Sequence, residues 1–178
     1  MKVFAADLFG KITNALQNLQ GRNLYGILGN YEQLSNFEKQ ILPRVHESQA
    51  SLPIEIIDIN ESILNHFMDE EIKELVSNES SFPDYVDRKI TDALNSIISH
   101  SLLSHTGIFC KNLEILFSYS VDLSVFRIHA TNQKIIFLIM PGQFIGGHIT
   151  LFIDAPKKFQ RTLPDQLLSA NNIWELNQ

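Results

Sequence analysis

Apolar residues recur at helical spacing at Phe4, Leu8, Ile12, Leu16 and Leu19. This pattern predicts an amphipathic N-terminal helix within residues 1–20, closed by Gly21. The period then changes: residues 24–28 form a short apolar run of the kind a strand covered on both faces needs. Ser35-Asn36-Phe37-Glu38 reads as a capping box leading a helix with Phe37, Ile41 and Val45 on one face, and Pro43 predicts a kink or an end within it. Residues 53–59 (PIEIIDI) predict a β-branched strand closed by Asn60. Beyond it Ile63, Leu64, Phe67, Ile72, Leu75 and Val76 share a helical face, and residues 77–83 (SNESSFP) read as a loop. A longer helix over 84–103 is lined by Tyr85, Val86, Ile90, Leu94, Ile97, Ile98 and Leu102. Continuous apolar runs at 106–110 and 134–140 flank a β-branched helical stretch at 120–130. Residues 148–153 alternate like an exposed strand. A last short strand or docked segment at 173–176 interrupts an otherwise irregular C-terminal tail, 154–178.

Strands alternating with helices, several of them apolar on both faces, predict an α/β protein: one domain over 1–178, with a mainly parallel sheet flanked by helices. Such a sheet brings the carboxyl ends of its strands to one edge, where ligands usually sit. A chain of 178 residues with 44% hydrophobic and 19% charged residues suits one sizeable core, and 12 phenylalanines suggest that it is well filled. The net charge of −6 and pI near 5.4 supply no general attraction to nucleic acid or an anionic membrane. The N-terminus lacks a signal-peptide pattern, and no apolar run approaches the ~20 residues of a membrane span. The single cysteine, Cys110, excludes an internal disulfide. A cytoplasmic location is the expectation.

Residues 23–42 (NLYGILGNYEQLSNFEKQIL) have the outline of a phosphate-binding loop: an apolar strand, Gly29, a polar turn at Asn30 and Tyr31, then a helix. Such a loop needs glycines for close backbone approach and a Gly-Lys-Ser/Thr to hold the phosphates. Here Gly29 is the one glycine at the turn, Tyr31 is bulky, Glu32 and Glu38 are negative, and the first lysine is Lys39. The acidic magnesium-site residue expected after an apolar strand is also missing, because TGIFC is followed by Lys111 and Asn112, with Glu114 beyond. The layout is P-loop-like without its motifs. We therefore expect a non-catalytic protein that uses no cofactor and no metal.

Other constellations are weaker. His46, His66, His100, His105, His129 and His148 are scattered, and His66 with Asp69 and Glu70 reads as a surface ion-pairing set. Cys110 closes a buried strand, where a free cysteine commonly packs; a nucleophilic role would need His105 or His148 beside it. Lys157, Lys158 and Arg161 surround Phe159, a thin version of a single-strand nucleic-acid platform whose blander reading is a solvated face. The most individual stretch is 139–152, IMPGQFIGGHITLF. Its plain reading is a β-hairpin, with Pro141-Gly142 ending one strand and Gly146-Gly147 turning toward His148. Its functional reading is a recognition loop at the ligand edge of the sheet.

Pro141, Gly142, Phe144, Gly146, Leu151 and Phe152 in that stretch resemble BrxB, a small protein of BREX phage-defence systems. The Asn30-Tyr31 turn, residues 58–64 (DINESIL), the long helix and residues 105–109 (HTGIF) follow in similar order. BrxB-like proteins continue into an aromatic-arginine segment, represented here by KFQR at 158–161. BrxF, a second small BREX protein, resembles the same layout but keeps an intact phosphate loop. The resemblance implies a subunit that acts by protein–protein interaction with larger defence proteins: an ATPase, a methyltransferase or a PglZ-like protein. Nucleic acid would be met only indirectly, and no membrane is involved. The expected contact surface is Pro141, Gly142, Phe144, Gly146, Gly147 and His148, with the open edge strand after them. The alternative is a nucleotide or nucleic-acid sensor using the 29–35 loop, with Gly29, Asn30 and Tyr31 as its ligand residues.

Overall fold

The computed structural model describes residues 2–48, 53–164 and 166–177. Met1, 49–52, Asp165 and Gln178, which the predicted 1–178 domain includes, lie outside the described residues. The chain is an α/β domain built on one sheet. Strands β1 (Lys2–Val3), β2 (Leu24–Gly29), β3 (Ile54–Asp58), β4 (Gly107–Lys111), β5 (Ile135–Ile145) and β8 (Ile173–Leu176) lie in the order β1-β8-β2-β5-β4-β3, all parallel. The outer half of β5 continues past the sheet and pairs antiparallel with β6 (His148–Leu151), which in turn pairs with β7 (Arg161–Thr162).

Alternation along β5 gives each face of the sheet its own core. Ile135, Phe137 and Ile139 face α1 (Ala5–Gln17), α2 (Tyr31–Gln40) and α3 (Leu42–Ser48) through Leu8, Ile12, Phe37 and Val45. Ile136, Leu138 and Met140 face α4 (Ile59–His66), α6 (Pro83–Ser104), α7 (Glu114–Ser118) and α8 (Ser124–His129) through Ile63, Leu94, Ile98, Leu116 and Phe126. On the first face an aromatic row crosses four strands. Phe109 stacks on Phe137 with centroids 4.4 Å apart, Phe137 on Tyr25 at 5.4 Å, and Tyr25 meets Trp174 at 4.8 Å. Cross-strand aromatic pairs of this kind are a main source of sheet cohesion.

Several expectations need correction. The capping box is not at Ser35: α2 begins at Tyr31, and Asn30 with Gln33 forms the box. Pro43 breaks the helical run as predicted, lying in the first turn of α3, where its missing N–H costs no hydrogen bond. The helical face predicted over 63–76 is split between α4 and α5 (Asp69–Asn78). No residue of α5 is buried, only Leu75 of it packs partly against the core, and Leu64 on α4 and Val76 on α5 are exposed. The C-terminal tail is less irregular than predicted. Its strand β8 inserts between β1 and β2, two parallel neighbours that satisfy its backbone on both sides.

The stretch 141–148 is not a loop. Pro141 and Gly142 are buried inside β5, and only Gly146 and Gly147 turn, both at positive φ (60° and 92°), joining Ile145 to His148 as a two-residue hairpin turn. Nor is β6 an open edge. Thr150 and Leu151 pair with Thr162 and Arg161, and the Leu163 N–H donates to the Ile149 carbonyl at 2.9 Å.

Candidate functional site

In a sheet of this kind, the crevice opens where two adjacent parallel strands send their chains in opposite directions. Here these are β2, which runs into α2 on one face, and β5, whose chain eventually returns through β8 on the far side of β2. Their ladder persists to the edge, pairing Gly29 with Pro141. Around that point the structure brings together Gly29, Asn30 and Tyr31 from one chain segment and the root of the β5–β6 hairpin from another.

The strand-to-helix junction is one residue long, from Gly29 at the end of β2 to Tyr31 at the start of α2. Phosphate is held by unpaired N–H groups at a helix N-terminus, and here the capping box engages two of the N–H groups at the junction, those of Asn30 and Gln33. The Gln33 N–H donates to Asn30 Oδ1 at 2.8 Å, and the Asn30 N–H donates to Gln33 Oε1 at 2.8 Å. The Gln33 side-chain amide donates in turn to the Leu176 carbonyl at 3.2 Å, tying the junction to β8. A Cβ on Gly29 would stand 3.2 Å from Gln33 and from Leu176 Cδ1, so the backbone is closed in from both sides.

The strand end where a nucleotide site would carry its acidic residue is also taken up by contacts within the chain. Lys111, at the end of β4, reaches across to α2 and pairs with Glu38 at 3.1 Å. Asn112 turns the chain at positive φ (52°) and donates to Asp58 Oδ2 at 2.5 Å. Asn60 then fastens α7: its Oδ1 accepts the Ile115 N–H at 3.0 Å, and its Nδ2 donates to Glu114 at 2.9 Å. This network fixes where Glu114 stands.

A second depression on the same edge has other contents. A cleft of about 380 Å³ is bounded by Tyr31 on α2, by Glu114, Phe117 and Ser118 on α7, and by Phe152, Asp154, Phe159 and Arg161 after β6. Phe152 adopts φ +57°, a conformation that is unusual for a bulky residue. It is held there by its N–H donating to the Pro141 carbonyl at 2.8 Å, and its ring meets Phe117 edge-on at 5.6 Å. Tyr31 and Phe159 are about half exposed, 54% and 53%. Burial, then the negative charges of Glu114 and Asp154, push the Tyr31 phenol above its ordinary value, so both carboxylates act on this space. The Lys158 ammonium lies 4.8 Å over the Phe159 ring, and Arg161 donates to the carbonyls of Lys158 and Gln160 at 3.0 Å each.

The remaining candidates do not come together. Cys110 is fully buried between β3 and β5, and burial followed by the charge of Glu55 pushes its thiol far up. His105 precedes β4, at the strand's opposite end. There it pairs with Glu55 at 3.2 Å, while Ser101 donates to the same carboxylate. Of the hairpin residues, Phe144 packs against the core, whereas Gly146, Gly147 and His148 are exposed beside Ile145. Sequence reasoning had marked Glu114, Tyr31 and the Lys157–Arg161 cluster separately; what it missed was that they meet. The aromatic at 159 among basic residues was the visible signal, while Phe152 stood out only through the family resemblance and not as part of a cleft.

No protein-family model matches the sequence, and no curated protein does. Among solved structures the chain is similar to the ORC2 protein of Aeropyrum pernix, in a structure of its ADPNP and ADP complexes, at 12% identity and a TM-score of 0.42. That likeness covers 77% of this chain and 40% of the other. No helix among the described residues is long and apolar enough to cross a membrane.

Proposed function

We propose that this protein is a non-catalytic binding subunit of a multiprotein assembly, of the phage-defence class that its resemblance to BrxB suggests. The observation carrying this reading is that the capping box of Asn30 and Gln33 engages N–H groups at the end of β2, while apolar groups on the same edge face outward. A chain that spends its helix N-terminus on itself has that edge left for contact with another protein. The hairpin tip is the proposed contact: Ile145 is 54% exposed and is followed by Gly146, Gly147 and His148. Partners in keeping with the resemblance are a large ATPase, a methyltransferase or a PglZ-like protein.

The test is tagged purification from the native host with mass spectrometry of what accompanies the protein. Wild type is expected to bring one of these partners, and Ile145→Asp to lose it while retaining its circular dichroism and melting temperature. A wild-type protein that emerges alone overturns the reading.

A nucleotide-sensor reading has one observation in its favour. A polar cleft of about 240 Å³ lies beside the junction, lined by Gly29, Asn30, Gln33, Gln143, Glu175 and Asn177. Nucleotide binding there would raise the melting temperature by mass action; we expect no rise, because Asn30 and Gln33 are engaged with each other and Glu175 adds negative charge.

A further inference from the structure

We infer that the cleft between α7 and the turn after β6 receives an arginine side chain of the partner protein, its guanidinium against the phenylalanine rings and paired with Glu114 and Asp154. This inference rests on the binding-subunit reading and specifies the chemistry of a second contact on the same edge. The cleft offers the two surfaces a guanidinium uses best, aromatic faces and carboxylates. Its volume of about 380 Å³, at the small end of ligand pockets, has room for an arginine side chain. Glu114 is held in place by Asn60, so its position is set before any ligand arrives.

The basic groups on the rim do not close the site. Arg161, a lining residue, keeps its charge and offsets part of the carboxylates' field, but its guanidinium is turned to two backbone carbonyls, and Lys158, on a flexible stem, sits over Phe159 as a solvent-exposed cation that a stacked guanidinium can displace. That lysine already uses the ring for cation–π contact. The carboxylates that hinder ionisation of Tyr31 likewise favour a cation beside it. Lysine fits less well, because an ammonium is a hydrated point charge that does not stack.

The experiment is an amide chemical-shift titration of the ¹⁵N-labelled protein with acetyl-Gly-Arg-Gly-amide, alongside the lysine and citrulline peptides. Saturable shifts at Phe117, Ser118, Asp154 and Phe159 with the arginine peptide are expected, and binding about tenfold weaker with the other two. Asp154→Asn and Phe159→Ala change exposed side chains and are expected to weaken the arginine response while leaving shifts in the sheet unchanged. No saturable shift, or an equal response to the lysine or citrulline peptide, overturns the inference. Co-purification of partners separates the two levels. If Asp154→Asn and Phe159→Ala keep the partner as tightly as wild type, the cleft assignment fails and the binding-subunit reading stands; if wild type brings no partner, that reading fails.

Discussion

Two places on one sheet edge make opposite use of similar material. At the end of β2 the chain enters α2 through Asn30, and three side chains around the junction are paired within the chain: Asn30 with Gln33, Gln33 with Leu176, Lys111 with Glu38. At the end of β6 the chain turns through Phe152 in a left-handed conformation and leaves rings and carboxylates facing a cleft. The first place has the outline of a phosphate loop with its capping donors engaged; the second turns rings and carboxylates toward open space. A phosphate loop works by leaving backbone donors unsatisfied, so a capping box there is the chemical opposite of one. Position at a strand end alone is therefore a poor guide to function.

The largest predicted effect breaks the support that both places share. Gly142 lies where β5 leaves the parallel sheet, and a Cβ there would fall 2.5 Å from the Thr150 backbone oxygen and 2.8 Å from Leu151. Gly142→Ala should cost about 1–3 kcal/mol through this overpacking, read as a lower urea midpoint with broadened hairpin resonances. Unchanged stability would mean that the strands part easily, and the hairpin would then be a poor platform for contact.

A smaller effect sharpens the closed half of the comparison. Asn30→Ala removes the cap of α2 and should cost about 1 kcal/mol, with no gain of ATP-dependent stabilisation in a melting experiment. A new shift on ATP would show that the capping box was all that kept nucleotide out. Cys110 offers a check on the core between the two sites. Buried and held as a neutral thiol, it should react with Ellman's reagent only at the rate of unfolding, and fast labelling of native protein would contradict that packing.

For the open half, Phe159→Ala should leave stability within about 0.5 kcal/mol of wild type, as surface changes usually do, even as arginine-peptide binding falls. A loss of several times that size would make Phe159 part of the core and the cleft an artefact of its packing.

The smallest effect is on the acid side of the stability profile. Burial holds His129 below its ordinary 6.5, and hydrogen bonds from the Ser124 side chain and then its backbone hold Asp122 below 3.8. In both cases the unfolded chain binds protons first, so the stabilisation is complete above the ordinary value. His129 loses its share as pH falls below 6.5, and Asp122 loses its share below 3.8 as pH passes the lowered folded value. Asp122→Asn should flatten only the lower limb of the profile, and a change at neutral pH would count against this account.

Much of this molecule is written in local periodicity. The runs at 24–28, 106–110 and 134–140 are strands because only β-strands covered on both faces hide unbroken apolar sequence of that length. α1 and α6 follow from their apolar stripes, and the break at Pro43 follows from its missing N–H. The plain hairpin reading of 139–152 was equally legible, since Gly146-Gly147 supplies the two positive φ angles a tight turn requires. Tertiary structure decided the rest. The sequence pointed to Ser35 as the cap, and Asn30 caps instead because the β2–β5 ladder runs to Gly29 and leaves no residues for a loop. The place of β8 beside β2 depends on pairing between residues far apart in sequence, which no local window reports. The cleft joins residue 31 to residues 114–118 and 152–161. Its key turn puts a phenylalanine where intrinsic preference would put glycine, held by a hydrogen bond to Pro141 that exists only once the sheet has formed.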